Sequence, residues 1–218
     1  MCGKFTQMMS WGELVTLADL VGAPPSAVET VTPMRFATVI RLNAEHKRQA
    51  ARMRWGLVPE DAPDPNDGTR FIHARAETIE QKPTFRGAFF HRRGLVVVNT
   101  FNEGKEITPS KTEQYVVTPR GRAATAIAVI WERWTGHSEG ALETFAMVTV
   151  PANELIGTIT DRMPALIADD DWATWLGEKP ATVDELKAML RPSKIAMDMA
   201  KAGKPAPPRK PNPQPDLF

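Results

Sequence analysis

The 218-residue chain holds one cysteine, Cys2, one tyrosine and four scattered histidines, His46, His73, His91 and His137. A lone thiol cannot close an internal disulfide, and nothing here has metal-ligand spacing, so neither a structural metal nor a cofactor is expected. No apolar run approaches the roughly 18 residues of a membrane span, and no basic stretch followed by an apolar one opens the chain as a secretory signal would. The expectation is a cytoplasmic protein with no membrane contact. A glycine-rich phosphate loop, a zinc signature, a nucleophile elbow and an internal repeat are also missing, which removes the familiar nucleotide and hydrolase readings. Charge of one sign is scarce too: 27 Lys/Arg stand against 26 Asp/Glu, a net +1.

That near-neutrality hides an uneven distribution. Between Arg35 and Arg122 sixteen Lys/Arg face ten Asp/Glu, which makes the middle of the chain the candidate anion-binding face. A hydrophobic content of 42% supports a real core, and the length suits one domain, read as residues 1–202. From Gly203 onward there are six prolines in sixteen residues, so residues 203–218 are read as a disordered proline-rich tail.

Ser10-Trp11-Gly12-Glu13 fits a capping box, and Trp11, Leu14, Val15, Ala18 and Val21 share a helical face that Gly22 ends. Residues 35–42 and 49–58 read as strands around the polar turn Asn43 to Lys47 and should form a hairpin. Residues 61–68, rich in Pro, Asp and Gly, read as an exposed loop leading into the short segment 71–78. Further strands are expected at 94–101, 114–118, 124–131 and 144–150. A second capping box, Thr182 to Glu185, opens a helix that Pro192 closes. Strands and short helices without a regular strand-helix-strand rhythm imply an α+β domain on a curved, mainly antiparallel sheet.

The chemistry concentrates at Met1-Cys2-Gly3-Lys4-Phe5. A small second residue permits removal of Met1, which leaves Cys2 with an α-amine and a thiol on adjacent carbons. The amine, ordinarily titrating at about 7.7 to 8.0, can condense with an aldehyde. The thiol, near 8.5, can then close on the imine carbon as a thiazolidine, helped by being intramolecular.

Four motifs accompany it in order: Met1 to Phe5; Arg54-Trp55-Gly56-Leu57-Val58-Pro59; Ala74-Arg75-Ala76-Glu77-Thr78; and Ala152-Asn153-Glu154-Leu155-Ile156 with Asp161-Arg162-Met163-Pro164. Together they resemble the SOS-response-associated peptidase family. The resemblance implies a barrel-like sheet core with flanking short helices and a basic groove for single-stranded DNA. It also implies covalent capture of abasic sites through the N-terminal cysteine, in the service of DNA damage repair. The family's glutamate, in a Gly-Phe-Tyr-Glu-Trp-like motif, corresponds to Glu103 in Asn99-Thr100-Phe101-Asn102-Glu103-Gly104, where it would move protons; the bland alternative is a surface glutamate in a turn.

Two positions depart from the family pattern. His73 stands where asparagine is usual, and Thr160 where histidine is usual; a threonine hydroxyl cannot shuttle protons near neutral pH. Either His73 supplies the missing acid/base group from the other wall of the pocket, or it only hydrogen-bonds as asparagine would. Catalytic positions are therefore read as Cys2, Glu103, His73 and Thr160. Arg75 is read as the phosphate ligand, and Lys4 keeps a charge where arginine is usual. Arg54 and Trp55 are read as groove residues, the indole as a stacking face for an unpaired base. Arg162 and Thr149 join the DNA-binding set, and Thr149 would also orient Glu103. The expected partner is single-stranded DNA carrying an abasic site, met by a monomer. Peptidase activity is read as release of Met1, and lyase chemistry as a side reaction. The competing reading is a noncovalent single-stranded-DNA-binding module whose altered pocket no longer reacts.

Overall fold

The computed structural model describes residues 2–8, 11–20, 29–136 and 140–203. In chain order its elements are β1 (Lys4–Gln7), α1 (Trp11–Ala18), β2 (Glu29–Val31), β3 (Phe36–Leu42), β4 (Arg48–Trp55), β5 (His73–Arg75), α2 (Pro83–His91), β6 (Arg93–Val98) and β7 (Thr100–Thr108). They continue as β8 (Lys111–Pro119), β9 (Thr125–Trp134), β10 (Leu142–Pro151), β11 (Arg162–Pro164), β12 (Leu166–Ile167), α3 (Trp172–Leu176), α4 (Val183–Met189) and β13 (Met197–Lys201). Among these, no helix is long and apolar enough to cross a membrane.

The hairpin forms as its alternation dictates: β3 and β4 pair antiparallel from Phe36 opposite Arg54 to Leu42 opposite Arg48. Those two strands belong to a closed barrel. β4 runs parallel to β10, with Phe145 opposite Trp55; β10 pairs antiparallel with β9, β9 with β6, and β6 returns to β3 where Ile40 meets Leu95. Closure removes the exposed edges that an open sheet would leave. A second sheet of five strands, in the order β13-β8-β7-β1-β2, packs beside it, antiparallel throughout. The architecture is α+β on a curved, mainly antiparallel, barrel-like core.

β6, β9 and β10 carry continuous apolar runs, and their residues Leu95 to Val98, Ala126 to Ile130 and Phe145 to Val148 are all buried. A strand covered on both faces has no need of polar alternation. Outside the barrel Trp175 of α3 donates its Nε1–H to the Gly94 carbonyl at 2.9 Å. Gly94 is required where β3 and β6 approach: a Cβ there would lie 2.8 Å from Val39 Cγ1 and 3.0 Å from the Ile40 carbonyl. Gly56 ends β4 at φ +133°, against Gly68, whose carbonyl oxygen would lie 2.8 Å from an added Cβ. This contact holds the 59–70 segment down. That segment is less open than its composition implies, because Pro65–Arg70 forms a 3-10 turn with Gly68 buried.

Two local expectations change. The strand expected over 94–101 is two strands, β6 and β7, broken at Asn99. Its side chain accepts from the Met8 N–H at 2.6 Å and donates to the Ala123 carbonyl at 2.9 Å, so the chain can leave the barrel and enter the second sheet without orphaned backbone groups. β7 then runs on to Thr108, and Glu103 lies in a strand instead of a surface turn. The segment after Asn153 makes only the 3-10 turn Ile156–Thr158, with Asn153 Oδ1 accepting from the Ile156 N–H at 3.0 Å. The Thr182 capping box is present with both reciprocal bonds, whereas Ser10, Val21 and Gly22 of the first helical pattern, and the tail from residue 204, lie outside the described residues.

Candidate active site

Cys2 and Glu103, a hundred residues apart in sequence, meet because β1 pairs antiparallel with β7. Lys4 lies opposite Asn102 and Phe5 opposite Phe101, so the register continues to Gly3 across from Glu103. Strand alternation puts Glu103 on the face of Phe101, inside the protein, and its exposure is 0%. Burial pushes its carboxyl up to about 7, with the charge of Asp161 adding to the rise. The amino terminus and the Cys2 backbone N–H, both hydrogen-bonded to it, pull the other way. Cys2 is 1% exposed. Burial first and the Glu103 charge second drive its thiol far above the ordinary range, and Sγ lies 3.5 Å from the Lys4 carbonyl.

His73 completes the cluster from the barrel side. β5 runs parallel to β10 just beyond the end of β4, with His73 opposite Met147 and Arg75 opposite Thr149. Its Nε2 lies 2.8 Å from the Cys2 carbonyl oxygen. Burial pushes the imidazole down to about 4, so near neutral pH the ring is uncharged and Nε2 carries the donated proton. The ring edge rests on Trp55, with centroids 6.0 Å apart.

Trp55 itself corrects an expectation. Its exposure is 0%; it stacks on Phe145 at 6.2 Å with a 9° interplanar angle, contacts Phe5, and donates Nε1–H to the Ile72 carbonyl at 2.8 Å. It is a core residue beneath His73 and offers no face to a base. Arg54 points outward and donates to the Pro65 carbonyl, tying down the 59–70 segment instead of standing free for a phosphate.

Arg162 and Thr149 are joined to each other. The Arg162 guanidinium forks onto Glu77, with Nη2 at 2.9 Å from Oε2, and Nη2 also donates to the Thr149 carbonyl at 2.7 Å and hydroxyl at 3.3 Å. At 9% exposure it clamps β10, β11 and the turn after β5 together. This fork, foremost among the causes, holds the Glu77 carboxyl below its usual range. The Thr149 hydroxyl accepts from Arg162. Thr160 is half-buried, its N–H bonded to the Ile156 carbonyl at 3.1 Å. The residue next to it, Asp161, is the one whose charge reaches Glu103. Asp161 stands in a quoted motif but had no reason, from sequence, to be singled out. Asn102 was also missed: it is 2% exposed, and its Nδ2 has no partner among the described residues. Of the expected cations, Arg75 is exposed at the end of β5 and Lys4 half-exposed on β1. Among the described residues no group of three or more His, Cys, Asp or Glu could hold a metal ion.

The family model of the SOS response associated peptidase (SRAP) matches residues 1–204. The chain is 30% identical over 196 residues to the abasic site processing protein YoaM of Bacillus subtilis (strain 168), covering 88% of this chain and 86% of that protein. It is 27% identical over 165 residues to the abasic site processing protein HMCES of Xenopus tropicalis, covering 65% of this chain and 49% of that one. A crystal structure of a protein from Bacteroides thetaiotaomicron superposes with a TM-score of 0.81 at 20% identity, covering 93% of both chains, a likeness of fold.

Proposed function

The chain belongs to the SOS response associated peptidase family, and from that membership we propose that it captures abasic sites in single-stranded DNA as a thiazolidine crosslink through Cys2 once Met1 is removed. The relatives named as abasic site processing proteins support the substrate class. The observation that carries the reading is the meeting of the Cys2 nitrogen and thiol with a buried Glu103 whose carboxyl titrates at about 7.

While Met1 is attached, the Cys2 nitrogen is an amide donor to Glu103. Removal of Met1 turns that nitrogen into a primary amine beside a buried carboxyl that can exchange a proton with it. The amine adds to the aldehyde carbon of the ring-opened sugar. Glu103 takes a proton from nitrogen and returns it to the departing oxygen, and water leaves as the C=N bond forms. The thiol then adds across that bond: sulfur joins carbon, its proton passes to nitrogen, and one water has been lost overall. Sulfur acts second because burial and the Glu103 charge keep it protonated, until a positively charged imine nearby favours the thiolate.

In this reading His73 holds the Cys2 carbonyl with Nε2–H, as an amide would, and is no proton shuttle. Arg75 is the exposed cation for the phosphate beside the lesion. One chain supplies every group, so a monomer suffices. Peptidase activity is confined to release of Met1, and lyase cleavage is a side reaction of the imine.

The 1% exposure of Cys2 favours a second reading, a noncovalent single-stranded-DNA-binding module. One experiment separates them. The processed protein is incubated with an oligonucleotide bearing one abasic site and followed by denaturing gel and intact mass. A shifted species equal to protein plus DNA minus one water, absent in Cys2→Ala, is the expected result. Binding without any such species leaves only the noncovalent module.

A further inference from the structure

Away from Cys2, four barrel strands converge on an open depression of about 570 Å³ lined by Phe36 and Arg41 of β3, Arg52 of β4, Arg133 of β9, and Leu142 and Glu143 of β10. Phe36 is 44% exposed, one of three exposed large hydrophobic residues in the described structure, with Met8 and Ile107. Arg41 is held in place, its guanidinium 4.8 Å over the Trp131 ring and 3.0 Å from Glu143 Oε1. Arg52 pairs with Glu29. Arg133 is exposed and makes no side-chain hydrogen bond or ion pair with another described residue. Three guanidinium groups thus face two carboxylates, around a single open aromatic face. This is where part of the positive charge concentrated between Arg35 and Arg122 comes to lie.

We propose that this depression is a second contact for single-stranded DNA, gripping the strand beyond the lesion, with a base stacked on Phe36 and backbone phosphates on Arg133 and Arg52. The proposal rests on the reading of single-stranded DNA as the substrate. A protein partner is disfavoured because docking interfaces have an apolar core, whereas here one aromatic ring stands among guanidinium groups. Stacking on an aromatic face beside cations that track a backbone is the chemistry of sequence-independent single-strand binding, and arginine's planar fork suits phosphate. The depression lies on the outer face of the barrel toward the end that carries the Cys2 site: Phe36 is opposite Arg54, next to Trp55, whose ring is 6.0 Å from that of His73.

The test uses fluorescence anisotropy on the full chain with long and short fluorescein-labelled undamaged oligothymidines, comparing wild type with Phe36→Ala and Arg133→Glu, both at exposed positions. The long strand should bind wild type more tightly than the short one. Each variant should lose about fivefold or more in affinity for the long strand only, and Arg133→Glu should lower the salt slope by about 0.7 for each phosphate that is no longer neutralised. Crosslinking of a short abasic oligonucleotide should proceed at the wild-type rate in both variants, which also shows that they are folded. Equal binding of long and short strands by wild type, unchanged affinity in both variants, or equal losses on both strand lengths would each overturn the proposal. If wild type binds as expected but never crosslinks, the Cys2 chemistry fails and the second contact stands. If crosslinking succeeds while the variants bind long DNA as wild type does, the reverse holds.

Discussion

Replacing Glu103 with glutamine in the chain that retains Met1 should make the protein more stable at alkaline pH and leave the comparison flat in acid. The carboxyl is 0% exposed and titrates at about 7 in the fold, against an ordinary 4.5. An acid with a raised folded value favours the native state while it is protonated. Its contribution is therefore complete below about 4.5 and is lost as pH rises through about 7. At 1.36 kcal/mol for each unit, the full swing is about 3 kcal/mol. Glutamine matches the carboxyl in shape and does not titrate, so any bond it makes or loses is the same at every pH and cancels from the swing. Urea unfolding of wild type and Glu103→Gln at several pH values between 4 and 9 reads the difference directly. Wild type should lose about 3 kcal/mol relative to the variant over that range, with the loss accruing between about 4.5 and 7, half complete at about 5.8 and flat above 7. Parallel stability curves, or a difference that moves the other way, would refute the argument that burial governs this carboxyl.

Three further predictions concern particular side chains. His73→Ala should slow crosslinking without moving the midpoint of its pH profile, because a ring titrating at about 4 stays neutral across the working range; loss of one limb of the profile would show a proton shuttle after all. Arg162→Ala strips the charged fork from Glu77 and two bonds from Thr149. It should cost about 2 kcal/mol by urea unfolding, with half-exposed Glu77 discounting the ion pair, and Arg162→Lys should recover only part because it lacks the fork. Gly94→Ala forces a Cβ to within 2.8 Å of Val39 Cγ1 and should destabilise by about 1–3 kcal/mol, visible as a lower denaturant midpoint with unchanged slope.

Short-range features were legible in the residues. The β3-β4 hairpin follows from alternation around a polar turn, and the Thr182 box follows from two side chains three positions apart; both patterns are complete within about ten residues. The reactive pair of groups on Cys2 is likewise a matter of position, since only the second residue can acquire both. Glu103 could be matched to a family motif, yet nothing near it in sequence announces burial: Asn102 and Gly104 flank it, and neither neighbour is apolar. Its environment comes from Phe5, Phe101 and the strands folded around them.

What the sequence alone determined is therefore the local chemistry: an aminothiol in waiting, the strands and caps, and a positive stretch between Arg35 and Arg122. Only the tertiary structure decided which polar groups keep their water. It put Trp55 in the core, tied Arg162 to Glu77 and Thr149, brought Asp161 to bear on Glu103, and set His73 on the Cys2 carbonyl. The reason is physical. A side chain's desolvation and its charged neighbours arise from strands paired across a hundred residues, and those two quantities, not residue type, set whether a carboxyl, a thiol or an imidazole holds its proton.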